Sequence, residues 1–508
     1  MNKFLRLLSL LLVTLMSFSA FAACDGVKDK ETDTSSGDSV SSVAPLERSE
    51  TESETEIITE YLPEIEKKNY NTQFFLWMYS AFNKPEYHWV EESSNDVLTE
   101  ALYNRQEKVY EHLGVEIVGR IFEDNTTNLN TYTDPFRTAV KNKDGSVHTL
   151  LTQAYYGVSG LVADQYLADI ASLPGVNLDA DYWNAEYMED LSIADKYYLG
   201  KSNFNILYTY ILTFNKTMME QYGSALDKNV YDMVRDYEWT FDKMINLANL
   251  VYIDTAADGK TLDDIFGITG HQWYGFTGFL HAADIQMVER NESGDFVVSL
   301  MTKKYADKTA ALAEKLNDLS KADCAQFNFY TDSESAVPFE TGRTLLHIDA
   351  TTDLEKYLNY DISFGILPYP MWDIDQKDVG YRHLEWSGYI TVPSYAPDFQ
   401  MLGETLELLA FYSDDVKTAY YEKVLGKQIS DLPDDREMLT IVWDSLCSDF
   451  AQPYCQHFGS SSFLFMLANV TEANSDGNIA SYVAGLERST NSSIAKFVQK
   501  VEKAASKK

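Results

Sequence analysis

Apolar positions along this chain follow two periods that alternate. The run Thr72 to Tyr79, TQFFLWMY, is continuously apolar and aromatic, the pattern of a strand buried on both faces. Asn95 and Asp96 then cap a helix whose apolar residues Val97, Leu98, Ala101, Leu102, Val109 and Leu113 precede a stop at Gly114. Val115 to Val118 follows as a second strand, and strand, helix, strand is the unit that builds parallel sheet. Val147 to Tyr155 predicts a further strand that ends in Tyr155-Tyr156-Gly157, and Leu161 to Ser172 predicts a helix after it.

The stretch Tyr208 to Leu250 joins both kinds of element. An apolar run from Leu207 to Phe214 suits a strand, Asn215 caps a short helix that Gly223 ends, and Thr240 opens a second helix on Phe241, Met244, Ile245, Ala248 and Leu250. Further on, Thr344 to Ile348 reads as a strand. Gly270 and Gly275 make the intervening His271-Gln272-Trp273-Tyr274 a predicted loop.

Length adds that 508 residues exceed one core and suit two large lobes plus a tail. The formal charge of −37 disfavours nucleic acid and anionic membrane surfaces as partners. The chain starts with a basic segment (Lys3, Arg6), an apolar run from Leu7 to Phe21, and Ala22-Ala23-Cys24, which reads as an export leader over 1–23. Residues 24–60 are Ser, Thr, Glu, Asp and Lys with little to bury, an expected disordered spacer. No other stretch reaches the ~18 uninterrupted apolar residues that a membrane span needs. Cys324, Cys447 and Cys455 show no metal-ligand spacing, and both a Cys447–Cys455 bridge and three buried thiols fit the sequence. The carboxylates Asp254, Asp258 and Asp263 alternate, but Ala256 and Ala257 stand where more oxygen ligands are wanted, so no bound metal or other cofactor is expected.

Several phrases resemble one family. Phe214-Asn215-Lys216, Gly223 and Glu238-Trp239-Thr240-Phe241-Asp242 are similar to the passage where maltose-binding-protein-like (family 1) solute-binding proteins of ABC importers first cross between lobes. Tyr103 to Glu111 resembles the "Y-N-R-N-x-x-V-E-E" helix of a clostridial lipoprotein branch, Phe364 to Pro370 its "F-G-I-L-P-Y-P", and Trp386 to Ser394 its return crossing. Phe-Ala-Ala-Cys resembles a lipobox, in which Cys24 is the lipidated residue. The resemblance runs in order from about residue 70 to 508. It implies a two-lobed α/β fold of the periplasmic-binding-protein type (type II), each lobe a mostly parallel sheet flanked by helices, joined by a multi-strand hinge. The expected division is 61–207 plus 393–445 for the first lobe and 208–392 plus 446–508 for the second. It further implies a monomeric, lipid-anchored receptor on the outer face of the cell membrane, with ABC permease subunits as partners and no enzymatic step.

In open parallel sheets, ligands bind beyond the carboxyl ends of the strands. That places Trp77 and Tyr79, and Tyr155 and Tyr156, as candidate ligand residues. The resemblance implies three more places: Trp273 and Tyr274, where the family places a cleft aromatic, Asp349 at the end of the strand Thr344 to Ile348, from which the family contacts its ligand, and Trp386 before the return strand. Aromatics are 13% of the chain, with 34 Tyr, and a Tyr hydroxyl needs a partner when buried, so a wet, ring-lined cleft is expected. A sugar, whose C–H faces stack on rings and whose hydroxyls need polar partners, fits that lining. Core packing is the competing account of each ring, and a helix cap that of Asp349. An exported glycoside-active enzyme using a carboxylate pair is the alternative function, but no Gly-x-Ser-x-Gly, His-Glu-x-x-His or P-loop occurs.

Overall fold

The computed structural model describes residues 63–79, 84–122, 133–328, 332–426, 432–458, 461–472 and 475–506. The leader over 1–23, Cys24 and the spacer over 24–60 lie outside the described residues. Among the described residues, no helix is long and apolar enough to cross a membrane.

The first lobe begins as its pattern predicts. Strand β1 (Thr72–Tyr79) leads through helix α1 (Val97–Leu113) into β2 (Val115–Phe122). The Asp96 carboxylate accepts the Thr99 N–H at 2.9 Å, and Gly114 ends the helix at φ +62°. Helix α2 (Asp134–Asn142), strand β3 (Thr149–Leu151), and helices α3 (Val158–Ala163) and α4 (Ala185–Asp190) complete this part. The predicted helix Leu161–Ser172 is shorter than expected. It stops at Ala163, Gln165 takes φ +63°, and Leu167 pairs instead with Pro393 of the returning chain, so tertiary pairing overrides local helix propensity.

The second lobe is entered along β4 (Tyr210–Asn215). Asn215 caps α5 (Lys216–Tyr222) through the Met218 N–H at 3.1 Å; α6 (Val230–Arg235) and α7 (Phe241–Ala248) follow. Then come β5 (Tyr252–Ile253), β6 (Ile265–His271), α8 (Gln272–Ala282), the hairpin β7 (Val288–Arg290) and β8 (Phe296–Val298), and α9 (Ala306–Lys321). Strand β9 (Ala325–Asn328), α10 (Asp332–Glu340), β10 (Thr344–Ala350), a 3-10 turn over Thr351–Asn359 and β11 (Phe364–Leu367) close the sheet. The predicted loop around His271 is thus a strand-to-helix junction. Gly270 is needed there because a Cβ would stand 2.6 Å from Ile348 Cβ.

Strands β12 (His383–Leu384) and β13 (Ile390–Thr391) carry the chain back. Helices α11 (Phe399–Phe411), α12 (Asp414–Leu425) and α13 (Pro433–Asp444) follow, then β14 (Leu446–Cys447), the short helices α14 (Ala451–Tyr454), α15 (Ser461–Leu464) and α16 (Met466–Val470), and the 27-residue α17 (Ile479–Ala505). Helix α13, assigned by the sequence division to the first lobe, lies against β11 of the second sheet, where the Asp435 carboxylate accepts the Ile366 N–H at 2.9 Å and Lys216 Nζ at 2.7 Å.

The first sheet has the order β13-β3-β1-β2, parallel except where β13 meets β3. The second has the order β11-β4-β10-β6-β5, with β9 also on β6. Its β10–β6 and β6–β9 pairs are parallel and its β4 pairs antiparallel, because β4 enters from the other lobe and runs against β10 and β11. Strand β1 is buried on both faces, with Phe74, Leu76 and Met78 in one apolar cluster and Trp77 and Tyr79 in another, which explains its unbroken apolar pattern. Cys324, Cys447 and Cys455 are free, buried thiols, so the Cys447–Cys455 bridge is absent.

Two buried imidazoles support strand ends as neutral acceptors. His148 Nδ1 accepts the Phe75 N–H at 2.9 Å between the Phe74 and Phe75 rings, and His383 Nε2 accepts the Tyr369 N–H at 2.9 Å. Burial pushes the His148 pKa down to about 4 and that of His383 to about 3. The unfolded chain protonates both near ~6.5, so the stability they confer is complete above that pH and is lost as pH falls toward the folded values. At pH 5 each should lower stability by about 2 kcal/mol relative to pH 7.5. Urea melts across this range should show the slope, and His148→Gln should flatten it.

Candidate functional site

The site is assembled from the segments that leave the strands. β3 ends at Leu151, and the five residues after it carry Gln153, Tyr155 and Tyr156 to Gly157, whose φ of +72° turns the chain into α3. β6 ends at His271, so Trp273 and Tyr274 fall in the first turn of α8. The returning chain supplies Trp386, which is held by its backbone N–H to the Tyr208 carbonyl at 2.6 Å.

These segments converge in one ring cluster. The Tyr155 and Tyr274 hydroxyls lie 3.0 Å apart. Tyr274 stacks on Tyr210 of β4 with centroids 5.4 Å apart and planes 6° from parallel, and on His271 at 5.2 Å. Trp386 meets Tyr274 edge-on at 4.9 Å and lies parallel to Phe465 at 6.1 Å. Phe465 also stacks on Trp273 at 5.0 Å and meets Tyr155 edge-on at 5.8 Å, while Tyr156 packs on Tyr155 at 4.2 Å. Such offset and edge-to-face pairs each contribute about 0.5–1.5 kcal/mol beyond the area they bury. Burial holds the Tyr155 hydroxyl well above the usual tyrosine pKa, so it stays protonated and able to donate.

Two polar groups here are incompletely used. Among the described residues, the Trp386 indole N–H, within the cluster, and the side-chain oxygen of Gln153, two residues before Tyr155, are buried without a hydrogen-bond partner. Leaving such a group unpaired costs about 1–3 kcal/mol, so each needs an explanation. Trp77 has the same property, but it sits apart: its ring packs on Phe122 at 4.8 Å with the Arg120 guanidinium 4.9 Å above it, and Tyr79 meets Phe122 at 5.6 Å.

Of the eight residues chosen from the sequence, five (Tyr155, Tyr156, Trp273, Tyr274 and Trp386) therefore meet in one cluster. Trp77 and Tyr79 belong to a second group at the end of β1. Asp349 is turned to a different task. Its carboxylate accepts the Lys356 ammonium at 3.0 Å, the Tyr357 hydroxyl and the Ala350 N–H, anchoring the 3-10 turn after β10. It does not cap that turn, whose N-cap is Ala350. Burial alone would lower the Lys356 pKa; the Asp349 charge overrides it and the net shift is upward. Sequence reasoning did not select Gln153, Tyr210 or Phe465. Gln153 is hidden in an apolar run, Tyr210 reads as core, and Phe465 sits between two short helices with no strand end nearby.

The lobes also touch through other segments, most of them in the chain's last third. Gln456 accepts the Gly157 N–H at 3.0 Å, Tyr454 donates to the Leu191 carbonyl at 3.1 Å, and Arg290 donates to the Ser192 carbonyl at 2.8 Å. Lys500 of α17 and Arg137 of α2 share the Asp164 carboxylate at 2.8 and 2.9 Å.

Replacing Asp349 by Asn should lower stability by about 2–3 kcal/mol, because a half-buried ammonium loses its counter-charge. Thermal melts of the variant check this, and binding measured well below its melting point should be unchanged.

No protein-family model matches the sequence, and no curated protein matches it. Solved structures do match. The galacto-N-biose-/lacto-N-biose I-binding protein of an ABC transporter from Bifidobacterium longum, in complex with lacto-N-biose, superposes with a TM-score of 0.55 at 11% identity, over 84% of this chain and 97% of that one. A maltose/maltodextrin-binding domain, MalE, from Bdellovibrio bacteriovorus, bound to maltotriose, gives 0.52 at 13% identity over 84% and 100%. The GacH receptor of Streptomyces glaucescens, studied unliganded and with acarbose, gives 0.51 at 13% over 84% and 98%. At such identities the likeness is one of architecture: this chain has the two-lobed α/β fold of the maltose-binding-protein-like solute-binding proteins of ABC transporters.

Proposed function

We propose that this protein is a solute-binding receptor of an ABC importer that captures a carbohydrate or oligosaccharide between its lobes. The observation that carries the reading is the ring cluster built from both lobes' strand ends around the unpaired Trp386 N–H, with the unpaired Gln153 oxygen on the segment that carries Tyr155. Rings suit the C–H faces of a sugar, and the two unused polar groups suit its hydroxyls, one as donor and one as acceptor. The sugars in the architecturally similar receptors support the same ligand class. Closure of the lobes then selects the ligand through contacts that exist only in the closed form. The reading includes no chemical step. The proposed division is 61–207 plus 393–432 for the first lobe and 208–392 plus 433–508 for the second, with α13 moved to the second because it lies against β11. Cys24 is the proposed lipid attachment site, the acidic spacer a tether on the outer face of the cell membrane, and permease subunits the proposed partners of a monomeric receptor.

A thermal-shift screen with sugars tests the ligand class. A saturating glycan at 100-fold its Kd should add about 2.7 kcal/mol of stability. Stabilisation by peptides or polyamines alone would overturn the carbohydrate reading, and release of product from a labelled oligosaccharide would point to the enzyme instead. Trp386→Phe, which keeps a ring and deletes the N–H, should weaken the same glycan about 10-fold while leaving the unliganded melting point within a few degrees. In cells, Cys24→Ser should move the protein from the membrane fraction to the soluble exported fraction.

A further inference from the structure

Lys201 is an unusual lysine, with only 2% of its side chain exposed. Its ammonium lies 2.9 Å from the Glu385 carboxylate and donates to the Ser387 carbonyl at 3.0 Å, the Gly388 carbonyl at 3.1 Å and the Ser387 hydroxyl. The Tyr187 and Tyr389 rings flank it, with centroids at 5.5 and 4.9 Å. Glu385 is equally enclosed: its carboxylate also accepts the Ser387 hydroxyl, and its carbonyl accepts Gln452 Nε2 at 2.6 Å.

Where the pair sits gives it a role. Two of the runs that pass between lobes are bridged at Gly200–Ile390 and again at Thr209–Glu385. Ile390 belongs to the first sheet through β13, whereas Thr209 precedes β4 and receives the Thr351 N–H from the end of β10, in the second. Between those bridges the two runs are held only by isolated bonds, among them Asn205 Nδ2 to the Gly388 carbonyl at 2.8 Å and Trp386 N–H to the Tyr208 carbonyl. Lys201 stands at the first-lobe end of one run and Glu385 at the second-lobe end of the other. The ion pair therefore spans a stretch of the crossing that no continuous ladder stiffens. A cavity of about 350 Å3, lined by Lys201, Glu385, Asn203, Asn205, Trp443 and Asp444, lies beside it, so this stretch can bend without displacing packed core. A buried ion pair is a weak source of stability compared with an apolar pair of the same size, which makes a positional role the better account of its presence.

We infer that Lys201 and Glu385 are positioning residues at the pivot, a buried ionic tie across the flexible part of the crossings that limits how far the two lobes part. The inference rests on the proposed closing motion but not on the identity of the ligand. The tie is direct and charge-assisted, so removing it lengthens the reach of the hinge, whereas a purely structural pair would alter melting and leave lobe separation alone.

The test uses the full chain in a Cys24→Ser background, labelled at Glu111→Cys on α1 and Asp307→Cys on α9, both exposed sites, with Cys324, Cys447 and Cys455 buried. Inter-label distances are measured with no sugar added. Lys201→Met with Glu385→Met removes both charges together, so neither is left unpaired; Glu385→Gln is the milder second variant should the double variant fail to fold. The expected result is a broader distribution shifted to longer distances by several ångströms in either variant. Distances matching the parent in every folded variant, with only the melting temperature changed, would overturn the inference. A chain that binds no sugar still answers this question, so failure of the ligand reading and failure of the pivot are separately visible.

Discussion

Every feature of this molecule depends on one constraint: a single polypeptide must serve two sheets, and it passes between them more than once. Strand β4 can pair with both β10 and β11 only if the run before it leaves the first lobe in register with the returning chain. The bridges at Gly200–Ile390 and Thr209–Glu385 fix that register at two points. Between them there is too little ladder for rigidity, and buried side chains take over the work of backbone pairing. The same geometry brings the exits of β3 and β6 face to face, which is why Tyr155 and Tyr274 can touch across the lobes.

The ring cluster is chemically coherent because its members arrive from separate segments with their backbones already engaged. Trp386 is pinned by Tyr208, Gly157 by Gln456, and Tyr210 by its pairing with Ala350 at the end of β10. Rigid rings on held backbone lose little freedom when something stacks between or upon them, a benefit that flexible side chains cannot match. The cluster's unused indole N–H is then the exception that gives it direction.

How much of this could be read from the sequence depended on how local each signal was. The edges of β1 and α1 follow from the unbroken apolar run and from Asp96 and Gly114, signals that lie within a few residues of the structure they specify. Asn215 and Gly223 mark α5 in the same way. The helix forecast over Leu161–Ser172 failed because Leu167 was drawn into a pairing with Pro393, more than two hundred residues away. Trp273 and Tyr274 were selected through the family resemblance and read as a loop between glycines, whereas they lie in the first turn of a helix that follows β6. Asp349 looked like a ligand contact because strand-end position does not reveal that Lys356 and Tyr357 return to claim its carboxylate. Phe465 was beyond reach, since only the folded arrangement of α15 and α16 carries it to Trp273 and Trp386. Helix α17 also went unnoticed, its polar stretch Ser489 to Ser493 masking the apolar stripe of Ile479, Val483, Ile494, Phe497 and Val501.

The route of the chain has a consequence for the order in which the halves mature. The second sheet is complete by Leu367, yet the helix that covers β11 begins at Pro433, and α17, which packs on β8 and α9, ends only at Ala505. During vectorial synthesis the earlier half of the second lobe emerges with its apolar faces uncovered and must wait for its lids. Long-range closures of this kind slow folding. The sequence order itself thus defers compaction of the second lobe until most of the chain has been made.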